Sequence, residues 1–179
     1  MDAYLAIVSR REIRAYDDRP IPDEVVERVL QAGRVAGSSQ NLQRWRFLVV
    51  SEPAALDRLA QAVFAPANVS GAALAIAIVV PEQGRGQDAF DAGRAAQNMM
   101  LGAHAYGVGG CPNGIADRDG AAAALGHGDD ERVAIVLSFG YPTRGRDPES
   151  RPAEEWVRRA ARKPFDDVVE RVGGPAGSG

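Results

Sequence analysis

Apolar side chains recur at helical spacing in three long stretches of the chain. Residues 24–36 repeat valine and leucine three or four positions apart, which predicts an amphipathic helix. The same spacing predicts a helix that begins at Pro53, with inward-facing residues as far as Phe64, and a long helix over residues 88–106. Shorter helical stretches are predicted over residues 3–8, 117–125, 153–161 and 165–172.

Three apolar runs between these helices are predicted to be strands. Arg46–Val50 and Val133–Phe139 are rich in residues that favour strands, and Ala72–Val80 has no polar break, so we expect it to be buried on both faces. Residues 65–71 and 107–115 are predicted to be loops. Helices and strands that interleave in this way indicate an α/β or α+β fold in which helices pack on a sheet.

Composition limits the classes of protein to consider. A chain of 179 residues that is 45% hydrophobic fits a single domain, expected over residues 1–172, with a flexible tail at 173–179. A net charge of −3 and a pI near 5.4 argue against nucleic-acid binding. No apolar run approaches the ~20 residues of a membrane helix, and we expect neither a leader nor a membrane partner. A single cysteine, Cys111, excludes an intrachain disulfide and suits the cytoplasm.

Common catalytic motifs are not found. Gly107-Val108-Gly109 follows a helix and is interrupted by Pro112, so it fails the dinucleotide-binding fingerprint. No phosphate-binding loop of the Walker type and no G-x-S-x-G element is present, and the histidines and cysteine lack metal spacing. We expect Cys111 to be a small buried hydrophobe and His104 to be a satisfied core or interface histidine.

A polar loop separates the first long helix from the first strand. Ser38, Ser39, Gln40, Asn41 and Gln43 offer more hydrogen-bonding groups than a short turn requires. The loop is either a solvated connector or a segment that holds a polar, planar ligand.

Basic residues cluster near both ends of the chain. Arg10 and Arg14 share one face whether their segment is extended or helical, so two cations can converge on one anion, with Arg11 between them. The alternative is a solvated charge run. Together with Arg162 and Lys163, these arginines would suit a doubly charged phosphate.

Taken in order, these elements resemble the FMN-dependent nitroreductase family. The segment Ser9–Tyr16 is similar to the family's R-R-S-[IV]-R-x-[FY] start, and Ala36–Phe47 is similar to its A-P-S-S-x-N-x-Q-P-W-x-F signature. Later matches are the Gly107-Val108-Gly109 turn, Pro112-Asn113-Gly114-Ile115, Gly140-Tyr141-Pro142 and Arg162-Lys163-Pro164-Phe165. The resemblance covers roughly residues 3–172.

The resemblance implies an α+β three-layer sandwich with a mixed or antiparallel sheet flanked by helices. It also implies an intertwined homodimer with FMN at the subunit interface. Arginines near both termini would meet the phosphate and ribityl chain or the pyrimidine end, the polar loop would reach the partner's FMN, and Gly114 would present a backbone N–H near flavin N5. The residues implied at the cofactor are Arg10, Arg11, Glu12, Arg14, Ser38, Ser39, Asn41, Gln43, Asn113, Gly114, Arg162 and Lys163.

The reaction implied is a ping-pong transfer of a hydride. NADH or NADPH would reduce flavin N5, and the flavin would then reduce an electron-poor acceptor such as a nitroaromatic or a quinone, without a dedicated catalytic side chain. Alternatives are a related enzyme with a specialised cofactor such as a deazaflavin or a specialised reaction such as flavin fragmentation, a non-catalytic flavin- or nucleotide-binding dimer that acts as a sensor or store, and a structural domain.

Three departures from the family pattern stand out. Glu12 replaces the usual serine, which puts a carboxylate where a flavin-contacting hydroxyl is expected. Arg44 replaces the proline before Trp45. The chain is also short between Phe64 and Asp88, where the family often has helices that cover the substrate.

Overall fold

The computed structural model of the protein describes residues 2–145 and 147–173, and within them the chain forms seven α-helices and four β-strands. The helices are α1 (Ala3–Ser9), α2 (Asp23–Arg34), α3 (Pro53–Ala60), α4 (Pro66–Ser70), α5 (Gly86–Ala105), α6 (Arg118–Leu125) and α7 (Ala153–Arg159). The strands are β1 (Arg46–Val50), β2 (Leu74–Pro81), β3 (Gly109–Asn113) and β4 (Glu131–Gly140). Short 3-10 turns occupy Ser39–Asn41, Pro148–Ser150 and Phe165–Asp167.

The four strands form one antiparallel sheet in the order β1-β2-β4-β3. Strand β2 lies inside the sheet, and Leu74 to Val80 are all buried, as the unbroken apolar run predicts. Successive side chains of a strand point to opposite faces, so β2 contributes Ile76 and Ile78 to one core and Ala75 and Ala77 to another.

Helices cover both faces of this sheet and make a three-layer α+β sandwich. Helices α2 and α5 pack on the face that contains Ile76, whereas the core on the other face includes residues of α3, α4 and α6. Small residues let α2 and α5 approach closely: a Cβ added at Gly102 would lie 3.1 Å from the Ala32 Cβ. The architecture expected from the sequence is therefore confirmed.

Four local predictions are wrong. The helix that begins at Pro53 ends at Ala60, and Phe64, which was expected to face inward, is 78% exposed. Residues 107–115 are not all loop, because Gly109–Asn113 pairs with β4 as an edge strand, where Pro112 is tolerated. Residues 65–71 contain the helix α4, which starts at a proline suited to a first helical turn. Residues 165–172 form only a 3-10 turn at Phe165–Asp167, and their side chains are all exposed, so no packing supports a longer helix.

The segment between α1 and α2 lies directly against the backbone of β3 and β4. The Ile13 N–H donates to the Gly110 carbonyl at 3.2 Å, and the Tyr16 hydroxyl donates to the Ile13 carbonyl at 2.6 Å. A Cβ at Gly109 would lie 2.7 Å from the Ile13 Cβ, and one at Gly140 would lie 2.7 Å from the Tyr16 ring. Both glycines thus allow a contact that a side chain would block, and this contact fixes the arginine-rich segment to the sheet.

Two further expectations concern the membrane and the tail. Among the described residues, no helix has both the length and the apolar character needed to cross a membrane. The expected flexible tail at 173–179 lies outside the described residues apart from Gly173.

The close contact at Gly109 yields the first testable prediction. We expect Gly109→Ala to lower the free energy of unfolding by about 1–3 kcal/mol, because the added methyl group overpacks a site filled by Ile13. Chemical denaturation monitored by circular dichroism measures the change. Gly86→Ala is the matched control, since a Cβ there meets nothing within 4 Å. Equal stability of the Gly109→Ala variant and the parent would contradict the packing described here.

Candidate functional site

Arginines from both ends of the chain surround one cavity of about 480 Å³. This volume lies within the range of ~300–1,000 Å³ that is usual for small-molecule sites. We call this cavity the arginine pocket; its lining residues are Arg10, Arg11, Glu12, Arg14, Trp156, Arg159, Ala160 and Arg162. Five guanidinium groups and one carboxylate make it strongly cationic, which suits an anion such as a phosphate group.

Arg10 and Glu12 form an ion pair inside the arginine pocket. The Arg10 Nη2 atom donates to Glu12 Oε1 at 2.8 Å, and the Arg10 side chain is only 13% exposed. Within the described part of the chain, the other arm of each group has no hydrogen-bond partner: Arg10 Nη1 and Glu12 Oε2 are both buried and unpaired. Leaving a buried donor unpaired costs about 1–3 kcal/mol of stability, so a ligand that accepts a hydrogen bond from Arg10 Nη1 would recover this free energy.

Arg11 has a structural position in the same pocket. It donates to the Val8 and Arg10 carbonyls at 2.7 Å and to the Trp156 carbonyl at 2.9 Å. The bond to Val8 satisfies a carbonyl at the end of α1, and the bond to Trp156 joins the segment that follows α1 to α7. Trp156 is buried and donates from Nε1 to the Pro148 carbonyl at 2.9 Å. Arg11 therefore fixes the wall that carries the late arginines.

Helix α7 and the residues after it supply the other cations. Arg159, in the last turn of α7, lines the pocket beside Arg162. Ala161 has a φ of 49°, which ends the helical path just before Arg162. Lys163 is exposed and does not line the pocket. Sequence reasoning missed Arg159, although its place three residues before Arg162 in a predicted helix was a usable signal.

The polar loop lies on a different part of the molecule and is tied to α5. Asp91, which is 6% exposed, accepts a hydrogen bond from the Ser39 N–H at 2.7 Å. Ser38 Oγ accepts from the Gln43 N–H at 3.0 Å. Arg44, which replaces the expected proline, lies with Nε 3.9 Å from Asp88 Oδ1. Gln40, Asn41 and Gln43 all have φ values between 50° and 55°.

These loop angles are uncommon for residues other than glycine, and such strain is often found at functional sites. The side chains of Ser39, Asn41 and Gln43 are exposed, and Ser38 is half-buried. Within one chain the loop does not reach the arginine pocket. Its contact with a cofactor stays a prediction, and the family resemblance implies that the contact is made with the FMN of a second subunit.

Asn113 and Gly114 differ sharply in their surroundings. The Asn113 side chain is buried, and its Nδ2 donates to the Cys111 and Val136 carbonyls at 2.9 and 3.3 Å. Asn68 Nδ2 in turn donates to Asn113 Oδ1 at 3.0 Å. Asn113 thus supports the sheet edge from inside. Gly114 is exposed, and only its backbone can serve a ligand, as the resemblance implies.

Burial shifts the pKa values of Cys111 and His104. It raises the pKa of the Cys111 thiol, which is 1% exposed, so the group is protonated at neutral pH and the prediction of a buried hydrophobe is confirmed. Burial, and then the charge of Arg10, lower the pKa of His104. Its Nε2 lies 3.1 Å from Ser9 Oγ, which confirms a satisfied histidine.

Metal chemistry receives no support from this arrangement. Among residues 2–145 and 147–173, no group of three or more histidine, cysteine, aspartate or glutamate side chains is placed to hold a metal ion. The cationic pocket is the main chemical feature of the site.

Comparison with known proteins agrees with the fold and places the chain in a family. Residues 7–83 and 69–141 match the profile of the Nitroreductase family. The chain belongs to this family. A protein of Archaeoglobus fulgidus, provisionally named NADH dehydrogenase/NAD(P)H nitroreductase, is 32% identical over 149 residues, which cover 79% of this chain and 86% of the relative.

Two further relatives cover almost the whole chain. The NADH dehydrogenase of Thermus thermophilus is 28% identical over 88% of this chain and 95% of its own length. A provisionally named nitroreductase of Desulfovibrio desulfuricans, solved in complex with FMN, is similar with a TM-score of 0.79 at 28% identity, over 98% of this chain and 99% of that one. These likenesses confirm the family and its fold, whereas the residue assignments at the cofactor remain predictions.

The tie between the polar loop and α5 is testable. We expect Asp91→Ala to speed amide exchange of Ser39 by about 10- to 100-fold, because a hydrogen bond to a charged group contributes about 1.5–3 kcal/mol. Hydrogen–deuterium exchange mass spectrometry of peptides covering residues 37–45 measures this rate. Asp57→Ala, an exposed acid on α3, is the control. Unchanged exchange in the loop would show that Asp91 does not hold it.

Proposed function

We propose that this protein is an FMN-dependent oxidoreductase that accepts a hydride from NADH or NADPH and passes it to an electron-poor acceptor such as a nitroaromatic or a quinone. The observation that carries the proposal is the convergence of arginines from residues 10–14 and 159–162 on one pocket. The relative from Desulfovibrio desulfuricans, which has the same fold, was solved with FMN.

The arginine pocket fits the phosphate group of FMN. Arg10 offers a buried, unpaired N–H to an incoming oxygen, and Arg14, Arg159 and Arg162 add positive charge around it. Charge-assisted hydrogen bonds from guanidinium groups to phosphate are among the strongest polar contacts in proteins. Arg11 holds the wall of the pocket through its backbone carbonyl contacts.

FMN bound in this way would supply the redox chemistry, because N5 of its ring takes up and returns the hydride. The chain itself binds and orients. The exposed backbone of Gly114 would lie beside the ring, with the Phe64 side chain next to it: a Cβ at position 114 would lie 3.3 Å from the Phe64 ring. Arg14, which lines the pocket, lies near the buried Cys111 of β3.

A homodimer would complete the site. Within a single chain the polar loop does not line the arginine pocket, and it would meet the FMN molecule that a second subunit holds. Several large apolar side chains remain exposed in the single chain and would be covered in such an assembly. They include Tyr4, Ile7, Val35, Leu42, Phe90 and Tyr106, which are 45% to 68% exposed.

The binding half of the proposal is tested by FMN titration. The parent protein should bind FMN, with flavin absorbance and quenched fluorescence, and Arg10→Ala should weaken binding by about 10- to 150-fold, since it removes a charge-assisted bond of about 1.5–3 kcal/mol. Arg118→Ala is the control, because Arg118 pairs with Glu82 away from the pocket. No FMN binding by the parent, or equal affinity in Arg10→Ala, would contradict the assignment.

The catalytic half is tested by kinetics. With FMN bound, the protein should oxidise NADH or NADPH in the presence of a quinone. Double-reciprocal plots of initial rate against one substrate, at several fixed concentrations of the other, should be parallel, as a ping-pong scheme requires. A flavin-binding sensor or store would bind FMN but oxidise the nicotinamide only at the rate of free FMN. That outcome would contradict the proposed enzymatic activity but would leave the proposed binding of FMN intact.

A further inference from the structure

The arginine pocket contains a carboxylate that phosphate binding alone does not explain. Glu12 is the one acidic group among the lining residues of this pocket in the described chain. A carboxylate repels a phosphate dianion. If Glu12 only neutralised the arginines, it would therefore lower the affinity of the pocket for every anion. A contact that Glu12 makes with part of the ligand would offset this repulsion.

The unpaired atoms of the pocket indicate what that contact is. Arg10 Nη1 is a buried donor and Glu12 Oε2 a buried acceptor, and among the described residues neither is paired. A phosphate dianion offers acceptors only, so it satisfies Arg10 and leaves Glu12 unpaired. A hydroxyl group near the phosphate would donate to Glu12 and satisfy the second atom as well.

Glu12 can present this acceptor to the cavity. Its side chain is 32% exposed, and its Oε1 atom already contacts Arg10. The torsion of the carboxylate about its last bond is broad, so a rotation can bring the second oxygen to the cavity that Glu12 lines. Both residues line the same cavity, so Arg10 can donate to the phosphate while Glu12 accepts a hydrogen bond from a hydroxyl of the same ligand.

We propose that Glu12 makes the arginine pocket selective for phosphate monoesters that carry a neighbouring hydroxyl group over monoesters that lack one. This inference rests on the proposed function, because FMN is such a compound: its phosphate ends a chain of ribityl hydroxyls. A sugar or polyol phosphate has the same chemistry. Glu12 thus lowers the affinity of the pocket for anions that offer no hydrogen-bond donor, and this difference in affinity is the source of the specificity.

The test compares two esters that differ in their hydroxyl groups. Glycerol 3-phosphate and methyl phosphate are both dianions at pH 8, because the second phosphate pKa is about 6. In calorimetric titrations at constant ionic strength, the parent should bind glycerol 3-phosphate about tenfold more tightly, as one charge-assisted hydrogen bond allows.

Glu12→Ala should bind methyl phosphate more tightly than the parent does and should lose the preference for glycerol 3-phosphate. Glu12→Gln should show the same gain for methyl phosphate and keep part of the preference, because the amide oxygen still accepts a hydrogen bond. Glu82→Gln is the control, since it removes the same charge from an arginine-paired glutamate outside the pocket. Its affinities should equal those of the parent.

Three results would overturn the inference: an equal gain for both esters in the Glu12 variants, unchanged affinities in those variants, or no binding of either ester to the parent. FMN titration of the same proteins separates this outcome from the proposed function. Selectivity between the esters without FMN binding would reject the FMN proposal alone. FMN binding without selectivity would reject only the role of Glu12.

Discussion

The contact of residues 13–16 with the bare backbone of β3 and β4 is the constraint on which the site depends. Ile13 lies over Gly109 and Tyr16 over Gly140, at distances that leave no room for a Cβ on either glycine. Burial raises the pKa of the Tyr16 hydroxyl, so it stays protonated and donates to the Ile13 carbonyl. This segment is thereby fixed at the sheet edge, and the arginines on either side of Ile13 are positioned with it.

Positive charge is concentrated at this edge without a matching number of acids. The fold limits the repulsion in two ways. Arg11 directs its N–H groups to backbone carbonyls of α1 and α7, where they satisfy helix ends, and Arg10 pairs with Glu12. The guanidinium groups of Arg14, Arg159 and Arg162 line the pocket that we assign to phosphate, and Arg159 Nη1 also lies 3.6 Å from Glu155 Oε1. The same interactions that stabilise the fold thus prepare an anion site.

Much of the fold can be predicted from local sequence patterns, and the wrong predictions have local causes. The unbroken apolar run Ala72–Val80 predicts a strand buried on both faces, and in the structure helices cover both faces of β2. Strand β3 was missed because Gly109, Gly110 and Pro112 have low strand propensity. A partner strand and the ring of Phe139, which leaves no room for a Cβ at Gly110, place these residues in the sheet. Tertiary contacts decide where propensity is weak.

The site was predictable to a similar degree. The sequence indicates that Arg10, Arg14 and Arg162 could share an anion, and the structure places all three around one pocket. Arg159 was not predicted because a cation in a helix is usually solvated; its side chain is indeed 58% exposed, and the position of α7 brings it to the rim of the pocket. The proposed role of Glu12 could not be predicted from the sequence, because it depends on the unpaired atoms Arg10 Nη1 and Glu12 Oε2, which only the three-dimensional structure identifies.

The affinities of FMN and riboflavin for the same protein test the central claim most directly. The two compounds share the ring and the ribityl chain and differ only in the phosphate. If the arginine pocket holds that phosphate through two or more charge-assisted bonds, FMN should bind at least about a hundredfold more tightly than riboflavin in fluorescence titrations. Equal affinities would show that the phosphate is not bound there and would contradict the account.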